Sequence, residues 1–465
     1  MITYYALPRL IYTKVEALPT VGHPAKKELV MEQTAIRTVN VGIIGLGTVG
    51  GGVVEVIQRN HDLYLDAYGI DLHIVRACAL QPERAAELGL GEGVFTPDWR
   101  EVTGCEEVDI VVELIGGEHP ATEIIEDAFA RGKHMVTANK ALLGKKMEQL
   151  ANTAHDAGVQ LRCEASCGGG IPIVDTLERM LAGNEMLAVA GILNGTTNYI
   201  LSRMDAEGLD FGEVLADAQR LGYAEADPTA DVDGLDAAAK IAILSSIAFK
   251  TRVTSDDVST VGIRNVSAED IAYARGAGQV IKLLAVGRKT SEGVEARVQP
   301  VLIPSNHQLA GVNGAMNAVF AVGDAVGETM FYGAGAGSLP TASAVVGDIL
   351  AIADPLSKGL PVMAEPKPYT RALSVLDTDE LVSEYFVRAT LADAADGGAV
   401  CAAALQQAGL AVTRVEPVAG TAMFVTAPAS KKAVDAAVDA LAALDCVTAA
   451  AAIRIEDTAG WTTVA

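Results

Sequence analysis

Positive charge is in short supply in this 465-residue sequence: 35 Lys and Arg stand against 59 Asp and Glu, a formal net charge of −24. That deficit excludes a nucleic-acid partner, because neutralising phosphates needs a basic footprint. Cysteine is sparse as well. Six thiols are too few for a disulfide framework, and Cys163 and Cys167, the one close pair, match no zinc spacing. They read as small buried residues. Long hydrophobic runs are missing too: nothing resembles a span of about 18 uninterrupted apolar residues, so no membrane partner is expected. Residues 1–37 lack the apolar segment of a signal peptide and the Arg-rich character of a transit peptide, and read as an N-terminal extension. The expected compartment is the cytoplasm.

What is present is globular. Half the residues are hydrophobic and 20% are charged, in a chain too long for one core. Residues 39–44 form an apolar run that stops at a glycine cluster, and residues 49–57 continue with helical periodicity. Strand-like runs follow at 72–80, 108–115 and 134–137, with helical patterns at 122–131 and 141–157 between them. Continuous apolar strands alternating with helices predict a parallel sheet covered on both faces. From about residue 168 the character changes: helices are expected at 173–181 and 211–221, a strand at 187–193, and a long polar loop at 222–234. The last 85 residues repeat the order strand, helix, strand, strand, helix, strand between 385 and 456, which is ferredoxin-like. A proline-rich stretch, 361–368, precedes them.

The glycine cluster carries the first chemistry. Gly45-Leu46-Gly47-Thr48-Val49-Gly50 matches G-x-G-x-x-G directly after a strand and at the opening of a helix. Gly45 permits the tight turn, Gly47 lets a pyrophosphate reach the backbone, and Gly50 lets helix and strand pack closely, with the phosphates at the helix N-terminus. The competing reading is a plain glycine-rich turn. NAD-binding units usually end their second strand with an acid that holds the ribose 2′-hydroxyl. Here that strand ends Cys78-Ala79-Leu80-Gln81, followed by Glu83 and Arg84, which leans away from strict NAD use.

In the middle of the chain the motifs become specific. Gly191-Ile192-Leu193-Asn194-Gly195-Thr196-Thr197-Asn198-Tyr199-Ile200-Leu201 is followed by Leu221-Gly222-Tyr223-Ala224-Glu225-Ala226-Asp227-Pro228, then Asp231, Gly234-Leu235-Asp236 and Lys240. With Ala138-Asn139-Lys140, Glu164-Ala165-Ser166 and the Tyr332–Gly337 run before Pro340-Thr341, this order of motifs over residues 39–360 resembles the homoserine dehydrogenases. The resemblance implies an NADP- or NAD-dependent reduction of L-aspartate 4-semialdehyde to L-homoserine. It implies Lys240, Lys140 and Asp236 as catalytic groups, and Gly222, Glu225, Asp231, Asp236 and Lys240 around the substrate. Cofactor contacts are implied at Gly45, Leu46, Gly47, Thr48, Val49, Gly50, Ile115, Gly116, Lys140 and Gly337. Glu164, Cys167, Gly169 and Ile171 occupy the segment that binds a monovalent cation such as sodium in the family. Cys167 replaces the family's usual Val or Ala, which matters little to a carbonyl ligand.

Local chemistry agrees with those roles. Asp236 and Lys240 stand four apart in a strongly helical stretch and share one face. An ammonium beside a carboxylate can donate to a developing alkoxide and then protonate it. Without context, the same pair would read as a surface ion pair contributing about 0.3–0.5 kcal/mol. Lys140 follows a short strand at the carboxyl edge of the expected sheet, where α/β sites gather. Two lysines around one site are expected to lower each other's pKa.

The expected fold is α/β: a Rossmann NAD(P)-binding domain at 38–166, completed by residues from about 330–360, and an α+β catalytic and dimerisation domain at 167–330. A linker at 361–380 leads to a C-terminal ferredoxin-like unit at 381–465 that resembles an ACT domain. The family's loop after the first ACT strand is Asp-x-Pro-Gly-Val; here it is Asp393-Ala-Ala-Asp396-Gly397-Gly398-Ala399-Val400, without the proline. Such a unit implies threonine as an allosteric effector, acting through a homodimer or homotetramer. Two rivals remain. An aspartate-semialdehyde dehydrogenase would need a cysteine nucleophile beside a histidine base, and neither Cys163 nor Cys167 has that setting. A catalytically inactive amino-acid sensor would be expected to have lost Lys240 or Asp236.

Overall fold

In the computed structural model of the chain, residues 37–392, 397–418 and 420–463 are described. The N-terminal extension up to residue 36 and the loop Asp393–Asp396 lie outside them. Six parallel strands come first: β1 (Thr38–Ile44), β2 (Asp71–Cys78), β3 (Phe95–Thr96), β4 (Ile110–Glu113), β5 (His134–Thr137) and β6 (Leu161–Arg162), in the order β3-β2-β1-β4-β5-β6. β4 and β5 are buried at every position, so neither shows an alternating pattern. Helices Thr48–Leu63, Ala121–Ala130 and Lys140–Ala157 connect the strands.

A late helix completes this layer. Ser338–Ser357 packs Ala342, Val345, Val346, Ile349 and Ile352 into one core with Val41, Ile43 and Val53. By length and composition it is apolar enough to cross a membrane, yet its apolar side lies against the parallel sheet.

The second sheet has eleven strands, nine along its path and two paired off it. After β7 (Met186–Ile192) and β8 (Ser259–Thr260) come β9 (Gln279–Lys289), β10 (Val294–Pro304), β11 (Met316–Gly323) and β12 (Gly327–Ala334). The C-terminal strands are β13 (Val382–Leu391), β14 (Val412–Val418), β15 (Thr421–Thr426), β16 (Ala429–Ser430) and β17 (Val447–Ile455). The order is β12-β11-β7-β9-β10-β17-β13-β15-β14, with β8 on β10 and β16 on β13. Helix Leu235–Phe249 lies across this sheet with every residue after Leu235 buried. A helix apolar on nearly all sides belongs in the interior, and this one carries Asp236 and Lys240 there.

The C-terminal strands and their two helices, Gly397–Gln407 and Lys431–Ala442, form a ferredoxin-like antiparallel unit with its own core of Val387, Leu405, Phe424, Val434 and Leu441. It is not a separable module on a tether. β17 pairs in parallel with β10, Val301 opposite Arg454, which joins the unit to the catalytic sheet. Arg297, 2% exposed, holds Glu456 with two hydrogen bonds of 2.6 and 2.8 Å. Buried Arg388 and Asp270 pair at 2.7 Å, and Trp461 is buried beside His307 and Phe320. The segment expected to be a linker is also held down: Arg371 N donates to Lys250 O at 2.9 Å, and Leu376 N to Val294 O at 2.9 Å.

Candidate active site

β1 ends at Ile44 and the chain turns at Gly45, whose φ of +103° suits glycine and whose N–H donates to Cys78 O at 2.8 Å. A Cβ on Gly50 would lie 1.9 Å from Gly45 O, so any side chain there would push the helix off the strand. Gly47, the N-cap residue, has open space where a Cβ would stand, and no side chain caps the helix. Its first N–H groups are therefore free to receive an anion. Leu46, Thr48 and Val49 complete the turn. Gly337, at φ +119°, opens the late helix beside it, and Ser338 Oγ donates to Thr48 O at 2.7 Å. At the end of β4, Glu113 accepts from the N–H groups of Ile115 at 2.9 Å and Gly116 at 3.3 Å, shaping the next turn of the cleft. Arg84 Nε donates to Leu46 O at 3.0 Å, which seats this arginine on the glycine turn, while no acid occupies residues 79–81.

The polar centre is built around Asp236. Lys240 Nζ lies 2.7 Å from Asp236 Oδ2 and donates to Leu193 O, also at 2.7 Å. Lys140 pairs with the other carboxylate oxygen from across the cleft. Asn194 Nδ2 donates to Asp236 at 2.9 Å and to Asp231 at 2.7 Å, while its Oδ1 accepts from Thr197 N and caps helix Gly195–Glu207. The Lys240 side chain is 8% exposed and that of Lys140 46%, so one lysine forms the floor and the other the mouth.

The electrostatics correct one expectation. Burial opposes the charge on Asp236, but the Lys240 and Lys140 ammoniums outweigh it and hold the carboxyl well below the usual range. Burial likewise pulls Lys140 down, and Asp236 more than offsets it, so Lys140 sits above its ordinary value. Lys140 is therefore not lowered as expected, because the Asp236 carboxylate stands between it and the second ammonium.

The polar loop frames the mouth. Gly222 turns at φ +80°, Tyr223 O accepts from Thr196 Oγ1 at 2.7 Å, and Tyr223 stacks on Tyr199 at 4.5 Å. Glu225 is exposed, with its backbone carbonyl held by Gln219 at 2.9 Å. Its side chain is therefore not drawn into the Asp236 cluster, whereas Asp231 is, through Asn194.

The Glu164–Ile171 segment is tied down by Glu164 itself. The Glu164 carboxylate accepts backbone N–H groups of Ile173 at 2.6 Å, Val174 at 2.9 Å and Asp175 at 2.7 Å. Oε1 accepts two of those bonds and Oε2 one, which fixes the carboxylate against the turn. The turn itself is buried, with Gly168 at φ +70° and Gly169 at φ +57°. Among the described residues, the carbonyls of Cys167, Gly169 and Ile171 accept no backbone hydrogen bond. Oxygen donors of that kind suit a hard cation.

Sequence reasoning assigned no individual role to Asn194, Leu193 or Glu113. A signal existed for the first: Asn directly before Gly-Thr-Thr is an N-cap pattern, and Asn139 caps helix Lys140–Ala157 in the same way.

Two family models match the chain: "Homoserine dehydrogenase" over residues 172–350 and "Homoserine dehydrogenase, NAD binding domain" over residues 45–164. A homoserine dehydrogenase of Neisseria gonorrhoeae is 40% identical over 422 residues, covering 89% of this chain and 97% of that one. The crystal structure of a homoserine dehydrogenase from Thiobacillus denitrificans superposes with a TM-score of 0.83 at 39% identity, over 91% of this chain and 99% of that one. A hyperthermophilic archaeal homoserine dehydrogenase mutant, solved in complex with NADPH, aligns with a TM-score of 0.59 at 26% identity, over 68% of this chain and 97% of that one.

Proposed function

This chain belongs to the homoserine dehydrogenase family, and we propose that Lys240 is the group that protonates its substrate. The activity is the NAD(P)-dependent reduction of L-aspartate 4-semialdehyde to L-homoserine, an amino-acid biosynthetic step. The Gly45–Gly50 turn would hold a nicotinamide cofactor, which when bound would supply the hydride for the aldehyde carbon. The observation that carries the proton's route is Lys240 Nζ, which spends two N–H groups on Leu193 O and Asp236. An ammonium has three donors. The third meets the carbonyl oxygen, donates as negative charge develops there, and releases its proton to the alkoxide. Asp236 holds that ammonium in place and stays ionised. Lys140, at the mouth, lies between cofactor and substrate, while Gly222, Glu225 and Asp231 take the substrate's amino-acid end.

Lys240→Ala tests the assignment: turnover of homoserine should vanish while cofactor binding stays near wild type. Retention of more than about a tenth of the activity would defeat it. The contact of both lysines with Asp236 argues against an inactive sensor, which has no use for a buried proton donor.

Three finer points belong to the same reading. NADP is accepted, because residues 79–81 at the end of β2 carry no acid to repel a 2′-phosphate, Arg84 sits at the turn, and the archaeal relative was solved with NADPH. A hundredfold preference for NAD (about 2.7 kcal/mol) in steady-state assays would overturn this. A monovalent cation such as sodium is held at the 164–171 turn by Glu164 and the backbone carbonyls of Cys167, Gly169 and Ile171. The C-terminal unit is an ACT-type sensor that passes threonine binding to a cytoplasmic homodimer or homotetramer through the shared sheet. Such coupling requires threonine to prefer one arrangement of subunits. Insensitivity of the intact enzyme to threonine would remove this role.

A further inference from the structure

We propose that His61, Asp71 and His73 form a second metal site, for a divalent transition ion of the zinc type, at the end of the parallel sheet remote from the glycine turn. His61 lies in the last turn of helix Thr48–Leu63, while Asp71 and His73 sit two apart on β2 and so share a face. Both Nε2 atoms converge on one oxygen: His73 Nε2 is 2.8 Å and His61 Nε2 3.2 Å from Asp71 Oδ1. The two imidazoles stand edge to face with centroids 5.3 Å apart.

The donor set and spacing suit such an ion. In a tetrahedral site with metal–ligand bonds of about 2.0–2.1 Å, ligand atoms are roughly 3.3 Å apart. One donor atom from each of the three residues lies within 4.8 Å of the others, so small side-chain rotations reach that geometry. Two imidazoles and one carboxylate favour zinc, copper, nickel or cobalt over magnesium or calcium. A supporting contact orients the carboxylate as metal sites require. Thr38 Oγ1 donates to Asp71 Oδ2 at 2.7 Å, leaving Oδ1 aimed between the rings. Side-chain exposures of 32% for His61, 24% for Asp71 and 50% for His73 leave one side open to water as a fourth ligand. The ion would clamp the far end of the dinucleotide-binding helix to its neighbouring strand. It touches no group placed in the catalytic centre.

Titrating full-length, chelator-treated enzyme with zinc by calorimetry, and with cobalt by visible absorption, tests the site. One equivalent should bind per chain, and zinc should raise the melting temperature by mass action. His61→Ala and His73→Ala should each weaken binding at least tenfold, and Thr38→Val about tenfold through the orienting contact. Homoserine oxidation by these variants should match wild type. His73 is half exposed, so its variant folds. Absence of saturable binding, or zinc affinity undiminished in the His61→Ala/His73→Ala double variant, would overturn the proposal.

Discussion

Replacing Asp236 by Asn keeps shape and volume while removing the one negative charge between two ammoniums. Asp236 is 8% exposed, with Lys240 Nζ at 2.7 Å, Asn194 Nδ2 at 2.9 Å and Lys140 on its other oxygen. At an effective dielectric near 20, an ion pair at 2.7 Å attracts by roughly 6 kcal/mol before desolvation is charged against it. Breaking buried pairs by removing one partner typically costs about 3–5 kcal/mol. Lys140 is half exposed and recovers part of its loss from water, so the lower figure, about 3 kcal/mol, is expected. The carboxamide adds a conflict of donors. If its oxygen faces Lys240 and Asn194, its NH2 faces Lys140. If it flips, NH2 meets Lys240. Lys140 also loses the neighbour that holds it above its ordinary value, and burial then draws it below. In homoserine oxidation at saturating cofactor, kcat should fall by about 10²–10³, as when a preorganised electrostatic contact is lost. Cofactor affinity, read by fluorescence, should stay within about twofold because the glycine turn is untouched. A D236N enzyme keeping more than a tenth of wild-type kcat across the pH range would refute this account.

Gly50→Ala should weaken cofactor binding at least about tenfold, or ~1.4 kcal/mol, because the new methyl meets Gly45 O; unchanged affinity in a direct titration would contradict that. Glu456→Gln should destabilise the whole chain by about 3 kcal/mol, since Arg297 is buried and keeps only Glu295 as an ionic partner. Denaturant unfolding should stay a single transition; early loss of the C-terminal unit alone would show that the shared sheet does not couple the two. Lys282 is buried against Val312 O, Asn198 and Asn313, and burial pushes its pKa down to about 8. The unfolded chain keeps that proton up to about 10.4, so this site's contribution to stability rises with pH between 8 and 10.4. Against Lys282→Met, the melting temperature of wild type should gain ground from pH 7.5 to pH 10; a constant difference would count against a depressed lysine.

Much of the fold was legible because its signals are local. The strands at 134–137 and 187–193, the helices at 122–131 and 141–157 and the glycine turn all follow from runs, periodicity and turn residues within one element, and they stand where expected to within one residue at each end. Asp236 and Lys240 were legible for the same reason, being one helical turn apart. What escaped depends on residues far apart in sequence. Lys140 meets Asp236 from a helix nearly a hundred residues earlier, and the argument from two lysines counted the like charges but not the carboxylate they share. The C-terminal unit reads as independent because its elements and core are complete. The pairing of Val301 with Arg454, the bond from Arg297 to Glu456 and the Arg388–Asp270 pair join it to the rest of the second sheet, and all of them link residues far apart in sequence. The three backbone amides that Glu164 accepts, from residues 173–175, are likewise a tertiary contact that its own segment does not announce.

The late helix Ser338–Ser357 has a consequence for how this protein is made. The ribosome delivers all six parallel strands by residue 162, yet Val345, Val346, Ile349 and Ile352, which cover one side of them, follow nearly two hundred residues later. During that interval the nascent chain exposes Val41, Ile43 and Val53 without their partner, the sort of surface that draws chaperones or aggregates. The glycine turn waits too, because Ser338 reaches Thr48 O only when the helix docks. Synthesis slowed between residues 162 and 357 should therefore lower soluble yield more than slowing after residue 357.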